Sequence, residues 1–309
     1  MSDAAASRAI RVRVRVPAKV NLHLGVGELR ADGYHELVNV FHAVDLVDEV
    51  IASPATGTSL TLSGEGAGAL PEDETNLAWQ AAVLLAKAAG IAPDTHLELR
   101  KAIPVAGGMA GGSSDAAAAL LACARLWDLD VGAAELTALA ARLGSDSAFP
   151  LIGGTALGVG RGELLTSVPA AAAHLHWVFA LAGFGISAGD AYRTLDRMRA
   201  DGTAAAPAGP PEALLAALEA GDVDGVAGAL ANDLQPAALD LAPPLADTLA
   251  AGHRHGALAG IVSGSGPTCA FLCRDDSAAT VLAAALEADG VCRTARVARG
   301  PVPGAQVVA

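Results

Sequence analysis

The sequence predicts an α+β fold in two domains, with mixed or antiparallel sheets packed by helices. Three observations carry this. The chain has 309 residues, more than one small core needs and about right for two domains. Its composition, 52% hydrophobic and 17% charged, is that of a globular chain rather than a disordered one. Strand-like and helix-like stretches alternate in both halves, yet hairpin-type turns join several of them. That favours mixed or antiparallel sheets over a doubly wound parallel one. The division is expected after residue 167, giving domains of 1–167 and 168–309.

In chain order, IRVRVRV (10–16) and VNLHLGVG (20–27) alternate with period two and read as two strands. Asp32-Gly33, within RADGY (30–34), is a turn signal between strands. The Val-rich stretch 36–53 reads as extended. Helix is expected at 77–90, strand at 95–101, and helix again at 113–127 and 132–143. GGTALGVGRGELL (153–165) has the glycine-broken look of a hairpin. The second half offers a strand at 176–182, a helix at 188–199, a loose loop GTAAAPAGPP (202–211) and further Ala-rich helices. GALAGIVSGSGPTCAFLC (256–273), a helix at 277–289 and a strand at 291–297 follow. The closing ARGPVPGAQVVA is expected to be a weakly ordered tail.

Charge and composition narrow the function. A net charge of −13 makes a poor nucleic-acid binder, because each phosphate contact needs a Lys or Arg. An anionic ligand must therefore be held locally, by backbone N–H groups or a few placed cations. Aromatics are only 3%, so the core is built from Ala, Val and Leu. Cys123, Cys269, Cys273 and Cys292 form no CxxC pair and no zinc spacing, and are expected to be buried reduced thiols. RAIRVRVRV at the N-terminus contains no apolar signal region, and no apolar run has the length of a membrane span. The expected address is the cytoplasm, with no membrane partner.

The most informative segment is PVAGGMAGGSSDAAAAL (104–120). Gly107, Gly108, Gly111 and Gly112 run straight into Ser113, Ser114 and a series of alanines. A helix start leaves N–H groups unpaired and carries partial positive charge, and glycines let backbone approach a ligand. The two serines add hydroxyls where an N-cap is expected. Together these make an anion site, phosphate being the usual anion; an ordinary capped helix after a flexible loop fits the same letters. No GK[ST] ending and no GxGxxG is present, so the P-loop and the dinucleotide fingerprint both fail.

The segment resembles the ATP-binding signature of the GHMP small-molecule kinases, Pro-x-x-x-Gly-Leu-Gly-Gly-Gly-Ser-Ser-Asp, with Met109 for Leu and Ala110 for a Gly. The resemblance implies two α+β domains, an active site in the cleft between them, and ATP held by Pro104, Val105, Ala106, Gly107, Gly108, Met109, Ala110, Gly111, Gly112, Ser113 and Ser114. Alanine resists positive φ, so the backbone at Ala110 is expected to be one that an L-residue tolerates.

Further segments point to one branch of that family, which phosphorylates a cytidyl-diphosphate substrate. PAKVNLHLGVGELRADGYHEL (17–37) resembles its N-terminal signature. On a strand, Lys19, Asn21 and His23 share one face and Val20, Leu22 and Leu24 the other, which suits a strand lining a cleft; a solvated face is the alternative. LGSDSAFPLIGGTALGVGRGEL (143–164) resembles the segment with the family's catalytic Asp, although Ser147 and Ala148 replace Val-Pro. The resemblance implies that Asp146 accepts the proton of the substrate hydroxyl, Lys19 assists and ATP supplies the phosphoryl group. It further implies substrate contacts from Asn21, Tyr34, His35 and Tyr192, with the cytosine between the two tyrosines, though a packed helix residue is the other reading of Tyr192. ETNLAWQAA (74–82) resembles the family's Asn-Leu segment, which implies that Asn76, with Lys101, lies by the nucleotide. SGSGPTCAF (263–271) resembles the family's C-terminal glycine motif, which implies that it closes over the site, a turn between strands being the other reading; NDLQ (232–235) resembles a family Asn-Asp-Leu-Glu read as structural. Mg²⁺ is expected with ATP; Ser113 or Ser114 could reach it, or water and phosphate could hold it. The oligomeric state is not legible. The competing functions are another GHMP kinase, of homoserine or mevalonate type, and a nucleotide-binding sensor without catalysis.

Overall fold

Period-two alternation does not stop at Pro17. In the computed structural model, which describes residues 10–308 apart from 106, 170–173 and 205, the two expected N-terminal strands form one, β1 (Val12–Leu29). Its pairing shifts register between Pro17 and Ala18. Proline has no N–H to give a ladder, and a bulge is where a strand can carry one. The turn at Arg30–Tyr34, with Gly33 at φ 84°, returns the chain into β2 (His35–Ser53), antiparallel to β1.

β3 (Thr58–Gly64) is not among the expected strands. Nor is the one-turn α4 (Phe149–Ile152) an expected helix, while the other elements of this half lie close to their expected bounds: α1 (Leu77–Ala89), β4 (Thr95–Lys101), α2 (Gly111–Leu126), α3 (Ala133–Leu143), and the hairpin of β5 (Thr155–Gly160) and β6 (Leu164–Ser167). The second half runs β7 (Leu175–Leu181), α5 (Ala188–Ala200), α6 (Glu212–Ala220), α7 (Val223–Ala229), β8 (Ala231–Asn232), α8 (Gln235–Leu241), α9 (Pro244–Arg254), β9 (Ala259–Val262), β10 (Cys269–Cys273), α10 (Asp276–Ala288), β11 (Thr294–Gly300) and β12 (Gln306–Val308).

Among the described residues the first sheet follows the order β12-β1-β2-β4-β3, with β5 on β2, β6 on β5 and β8 on β1. It is mixed, since β3–β4 and β1–β8 are parallel pairs. The second sheet, β11-β7-β10-β9, is antiparallel. The expected weak tail is wrong: after β11 the chain bridges Pro303 to Gly153 and adds β12 to β1. The contact is close. A Cβ on Gly153 would lie 2.0 Å from the Gly304 nitrogen, so the glycines that suggest looseness are what admit the tail.

Alanine explains the first core. Ala116–Ala119, Ala122 and Ala124 of α2 are all buried, between the sheet and α1. A helix covered on most of its surface needs small side chains to let its neighbours approach. A second core joins the halves: Ala18, Val20 and Leu22 of β1 pack with Trp177 and Phe179 of β7. Cys123, Cys269 and Cys273 are buried free thiols pushed up to about 12 by burial, while Cys292 is half-buried. No helix of the described residues is long and apolar enough to cross a membrane.

His42 of β2 is fully buried, its Nδ1 2.8 Å from the Thr155 hydroxyl. Burial pushes its imidazole from 6.5 down to about 4. The unfolded chain therefore takes up this proton first as pH falls. The contribution to stability is complete above pH 6.5 and is lost as pH falls through about 4. Between pH 7.5 and 5 this single group removes about 2 kcal/mol. Urea unfolding at the two pH values measures it: the acid loss should shrink by about that amount in His42→Gln. An unchanged loss would assign it to other groups.

Candidate active site

The chain reverses at the end of β4, and the glycine loop leads from there into α2. Two cavities lie on either side of this loop. The first, about 400 Å³, is lined by Leu70, Asn76, Lys101, Pro104, Val105 and the loop itself. The second, about 310 Å³, is lined by Lys19, Asn21, Asp146 and Tyr192, with Gly264 and Ser265 from the second half. Gly108, Ala110 and Ser113 face both. The loop is a party wall.

That wall is fixed from both halves of the chain. The Gly108 carbonyl accepts from Lys19 Nζ at 2.9 Å and from the Ser263 hydroxyl at 3.1 Å. Gly108 sits at φ 70°, and a Cβ there would lie 1.9 Å from the Ser263 backbone carbonyl oxygen. Only glycine fits. The SGSGPTCAF segment thus docks on the glycine loop, and Asn232 holds it by donating to the Val262 and Gly264 carbonyls at 2.7 and 2.8 Å. Asp233 accepts from the backbone of Val26 and Ala208, in keeping with the structural reading of NDLQ.

Helix α2 starts at Gly111, earlier than expected, so Ser113 and Ser114 stand inside the first turn. Its N-cap is Ala110, at φ 61° and ψ 30° with no side-chain cap. The expectation of an ordinary L-residue conformation fails: Ala110 occupies the left-handed well, at a cost of roughly 1 kcal/mol. The first intrahelical bond is Ser114 N–H to the Ala110 carbonyl. The N–H groups of Gly111, Gly112 and Ser113 precede it and are without backbone partners among the described residues, as the first N–H groups of a helix are.

Several expected nucleotide residues have other duties. Ser114 is fully buried and donates to the Pro17 carbonyl at 2.9 Å, leaving Ser113 as the hydroxyl at the wall. Met109 packs its side chain into the core shared by both halves. The Asn76 side chain caps α1, accepting from Ala78 N–H, while its amide donates to the Pro71 carbonyl. Lys101 lines the first cavity, but its ammonium is clasped by Asp48 and Asp115, both buried. Ala106 lies outside the described residues.

In the second cavity Lys19 and Asn21 share a strand face as expected, but the register shift between Asn21 and His23 breaks the alternation, and Leu24 rather than His23 lines the cavity with them. Lys19 and Asn21 are 4% and 3% exposed, so the solvated-face alternative fails. Lys19 Nζ donates to Asn21 Oδ1 at 2.6 Å and stands 3.5 Å from Asp146 Oδ2. Burial pushes the Lys19 ammonium down, and the Asp146 charge pushes it back up. Asp146, on the turn between α3 and α4, keeps 32% side-chain exposure against 5% for Lys19, so the carboxylate is the accessible member of the pair. Asn21 Nδ2 donates in turn to Asn39 Oδ1 at 3.3 Å. Asn39 also lines this cavity and escapes sequence reasoning; it stands on β2, where its polar neighbours on β1 could have flagged it. Ser147 and Ala148, which depart from the family pattern, are fully buried behind Asp146.

The two tyrosines do not face one another. Tyr34 is 52% exposed, with the Arg161 guanidinium carbon 4.9 Å from its ring centroid. It lines neither cavity. Tyr192 does line the second, and His35 stacks on it with centroids 5.1 Å apart and planes 17° off parallel. Burial, then the charge of Asp146, pushes the Tyr192 hydroxyl up. The aromatic partner of Tyr192 is therefore His35, brought to it from β2, and of the two only Tyr192 lines the cavity.

Comparison with known proteins follows this geometry. The family model GHMP kinases N terminal domain matches residues 76–154, and GHMP kinases C terminal matches 214–292. A protein of Mycolicibacterium smegmatis named 4-diphosphocytidyl-2-C-methyl-D-erythritol kinase is 58% identical over 298 residues, covering 96% of this chain and 92% of its own. One of Salinispora arenicola with the same name is 56% identical over 295 residues, covering 96% and 94%. A crystal structure of 4-(cytidine 5'-diphospho)-2C-methyl-D-erythritol kinase superposes with a TM-score of 0.75 at 33% identity, covering 93% of this chain and 98% of that one.

Proposed function

The chain belongs to the GHMP kinases and is an ATP-dependent small-molecule kinase, and on that premise we propose how it works and on what. Its substrate is 4-diphosphocytidyl-2-C-methyl-D-erythritol, phosphorylated on the 2-hydroxyl; relatives at 58% identity over 96% of the chain bear that name. The observation that carries the mechanism is the Lys19–Asp146 pair, set across a glycine wall from the cavity of about 400 Å³ at the start of α2.

ATP binds in the first cavity with its phosphates against the N–H groups opening α2. The acceptor lies in the second, and its hydroxyl meets Asp146. The carboxylate takes the hydroxyl proton as the oxygen attacks phosphorus, and Lys19 offsets charge on the transferring group. Asn21 orients Lys19. For Mg²⁺, the fit rests on two groups lining the nucleotide cavity: the Ser113 hydroxyl, and Asp115 Oδ1, a buried carboxylate oxygen with no hydrogen-bond partner among the described residues. These would hold the ion, which when bound neutralises phosphate charge. ATP as donor supports the cytoplasmic address expected from the sequence.

The experiment is ADP release with ATP and Mg²⁺ on three acceptors: the cytidyl substrate, homoserine and mevalonate. Turnover is expected with the cytidyl substrate alone. Turnover with homoserine or mevalonate instead would reassign the acceptor.

A further inference from the structure

Asn39, which no motif singles out, ends a chain of side chains along the wall of the second cavity. Asn21 pairs with Phe41 of β2, and Asn39, two residues before Phe41, is its diagonal neighbour on the same face. Asn21 Nδ2 donates to Asn39 Oδ1 at 3.3 Å, and Lys19 Nζ donates to Asn21 Oδ1 at 2.6 Å. Nζ in turn stands 3.5 Å from Asp146 Oδ2. Each amide has one possible direction. An ammonium only donates, so the Asn21 oxygen must face Lys19. The Asn21 nitrogen then faces the other way and needs an acceptor, which among the described residues only the Asn39 oxygen supplies. Both amides are buried, so little water reaches them.

We propose that Asn39 is a positioning residue for the phosphoryl transfer, acting through Asn21 to aim the Lys19 ammonium at the space beside Asp146; the inference rests on the reaction proposed above. The physical reason is directional. Lys19 Nζ has three N–H groups, and its neighbours are the Asn21 oxygen, the Gly108 carbonyl and the Asp146 carboxylate. The Asn21 oxygen is a dependable anchor only while its own amide cannot rotate, and the bond to Asn39 is what stops it. Without that acceptor the buried Asn21 nitrogen turns in search of another, and its oxygen leaves Lys19. The ammonium then loses its aim and part of its hold on the proton, because burial already pushes it down. Asp146, on the turn after α3, is the charged group that opposes this. The loop and the second half turn only the Gly108 carbonyl and Gly264 toward Nζ, and burial pushes the Tyr192 hydroxyl of α5 up. Among the described residues lining this cavity no further charge makes good the loss.

The test reads Lys19 directly. The chain has three lysines, Lys19, Lys87 and Lys101, so isotope-labelled lysine in the full chain follows the Lys19 ammonium by NMR without any turnover. Asn39→Leu keeps the volume and removes the acceptor. It should lower the Lys19 titration midpoint by about half to one pH unit, the size of a weakened hydrogen bond to a charged group. With the cytidyl acceptor it should lower kcat about tenfold, bring the alkaline fall of kcat down with the Lys19 midpoint, and leave KM for ATP within about twofold. Asn39→Ser, too short to reach Asn21, should do the same and serves if leucine unsettles the fold. Asn21→Ala should lower the midpoint by itself, and adding Asn39→Leu should then move it by less than about 0.2 pH units, since the path is already cut. A Lys19 midpoint unmoved by the Asn39 variants, or a fall that adds in full to that of Asn21→Ala, would overturn the proposal and leave the reaction standing. So would a raised KM for the cytidyl acceptor at unchanged kcat, which makes Asn39 a substrate contact. A midpoint that depends on Asn39 through Asn21, in a protein that phosphorylates no acceptor, would uphold the Asn39 relay and sink the assigned reaction.

Discussion

Asp146→Asn should lower kcat by at least about a hundredfold, with KM for ATP within about twofold of wild type and no fall in melting temperature beyond a few degrees. The substitution keeps the shape of the side chain and removes its ability to accept a proton. It also strips Lys19 of the one charge that opposes its burial. The ammonium keeps its bonds to Asn21 and Gly108 but is held more weakly in the charged form, so the transferring phosphoryl loses its cation as the hydroxyl loses its base. Both losses fall on the transition state rather than on substrate binding, so kcat carries them. Rapid ADP detection at saturating ATP and acceptor gives the number, with thermal unfolding as the control. A variant with full kcat and a raised acceptor KM would make Asp146 a binding group and send the search for the base elsewhere in the second cavity. Because Asp146 is the exposed partner and Lys19 the buried one, Lys19→Met should lose activity comparably while costing more stability.

How much of this could be read from letters alone depends on how local each feature is. The glycine run before the alanines marks the anion loop, because loop and helix are adjacent in the chain. A period-two strand puts Lys19 and Asn21 on one face, and family likeness marks that face as part of the site. Asp146 needed family likeness, since a lone Asp on a turn carries no periodicity. Features set by distant pairing stay hidden. β12 is three residues with no pattern, made a strand by a partner about 290 positions earlier. Tyr34 and Tyr192 look like a pair because they are scarce, yet a helix places His35 against Tyr192 and leaves Tyr34 outside. The left-handed Ala110 is a further case: the docked C-terminal glycine turn fixes the loop path, and local preference yields to it.

Lys101 is where sequence and structure part most usefully, and Lys101→Met should cost about 3–5 kcal/mol of stability. As a nucleotide ligand it should lose ATP affinity and little else. Its surroundings say otherwise. The ammonium lies between the Asp48 and Asp115 carboxylates, which are essentially sealed from solvent. Asp48 in turn accepts from the backbone N–H groups of Ala102 and Ile103 at 2.6 and 2.8 Å, where the chain leaves β4 for the glycine loop. Burial already pushes the Asp115 carboxyl up, and Lys101 is the main group drawing it down. Remove the cation and two buried carboxylates confront each other with nothing between them. One must take a proton, and the loop entrance loses its anchor. Urea unfolding reads the loss directly, and Lys101→Met combined with Asp115→Asn should recover part of it by removing one of the stranded charges. A single variant within about 1 kcal/mol of wild type, with KM for ATP raised tenfold or more, would return Lys101 to the nucleotide and leave the carboxylate cluster to explain itself. The expected pattern is the reverse, an early unfolding midpoint and an ATP affinity that falls only as far as the loop loosens.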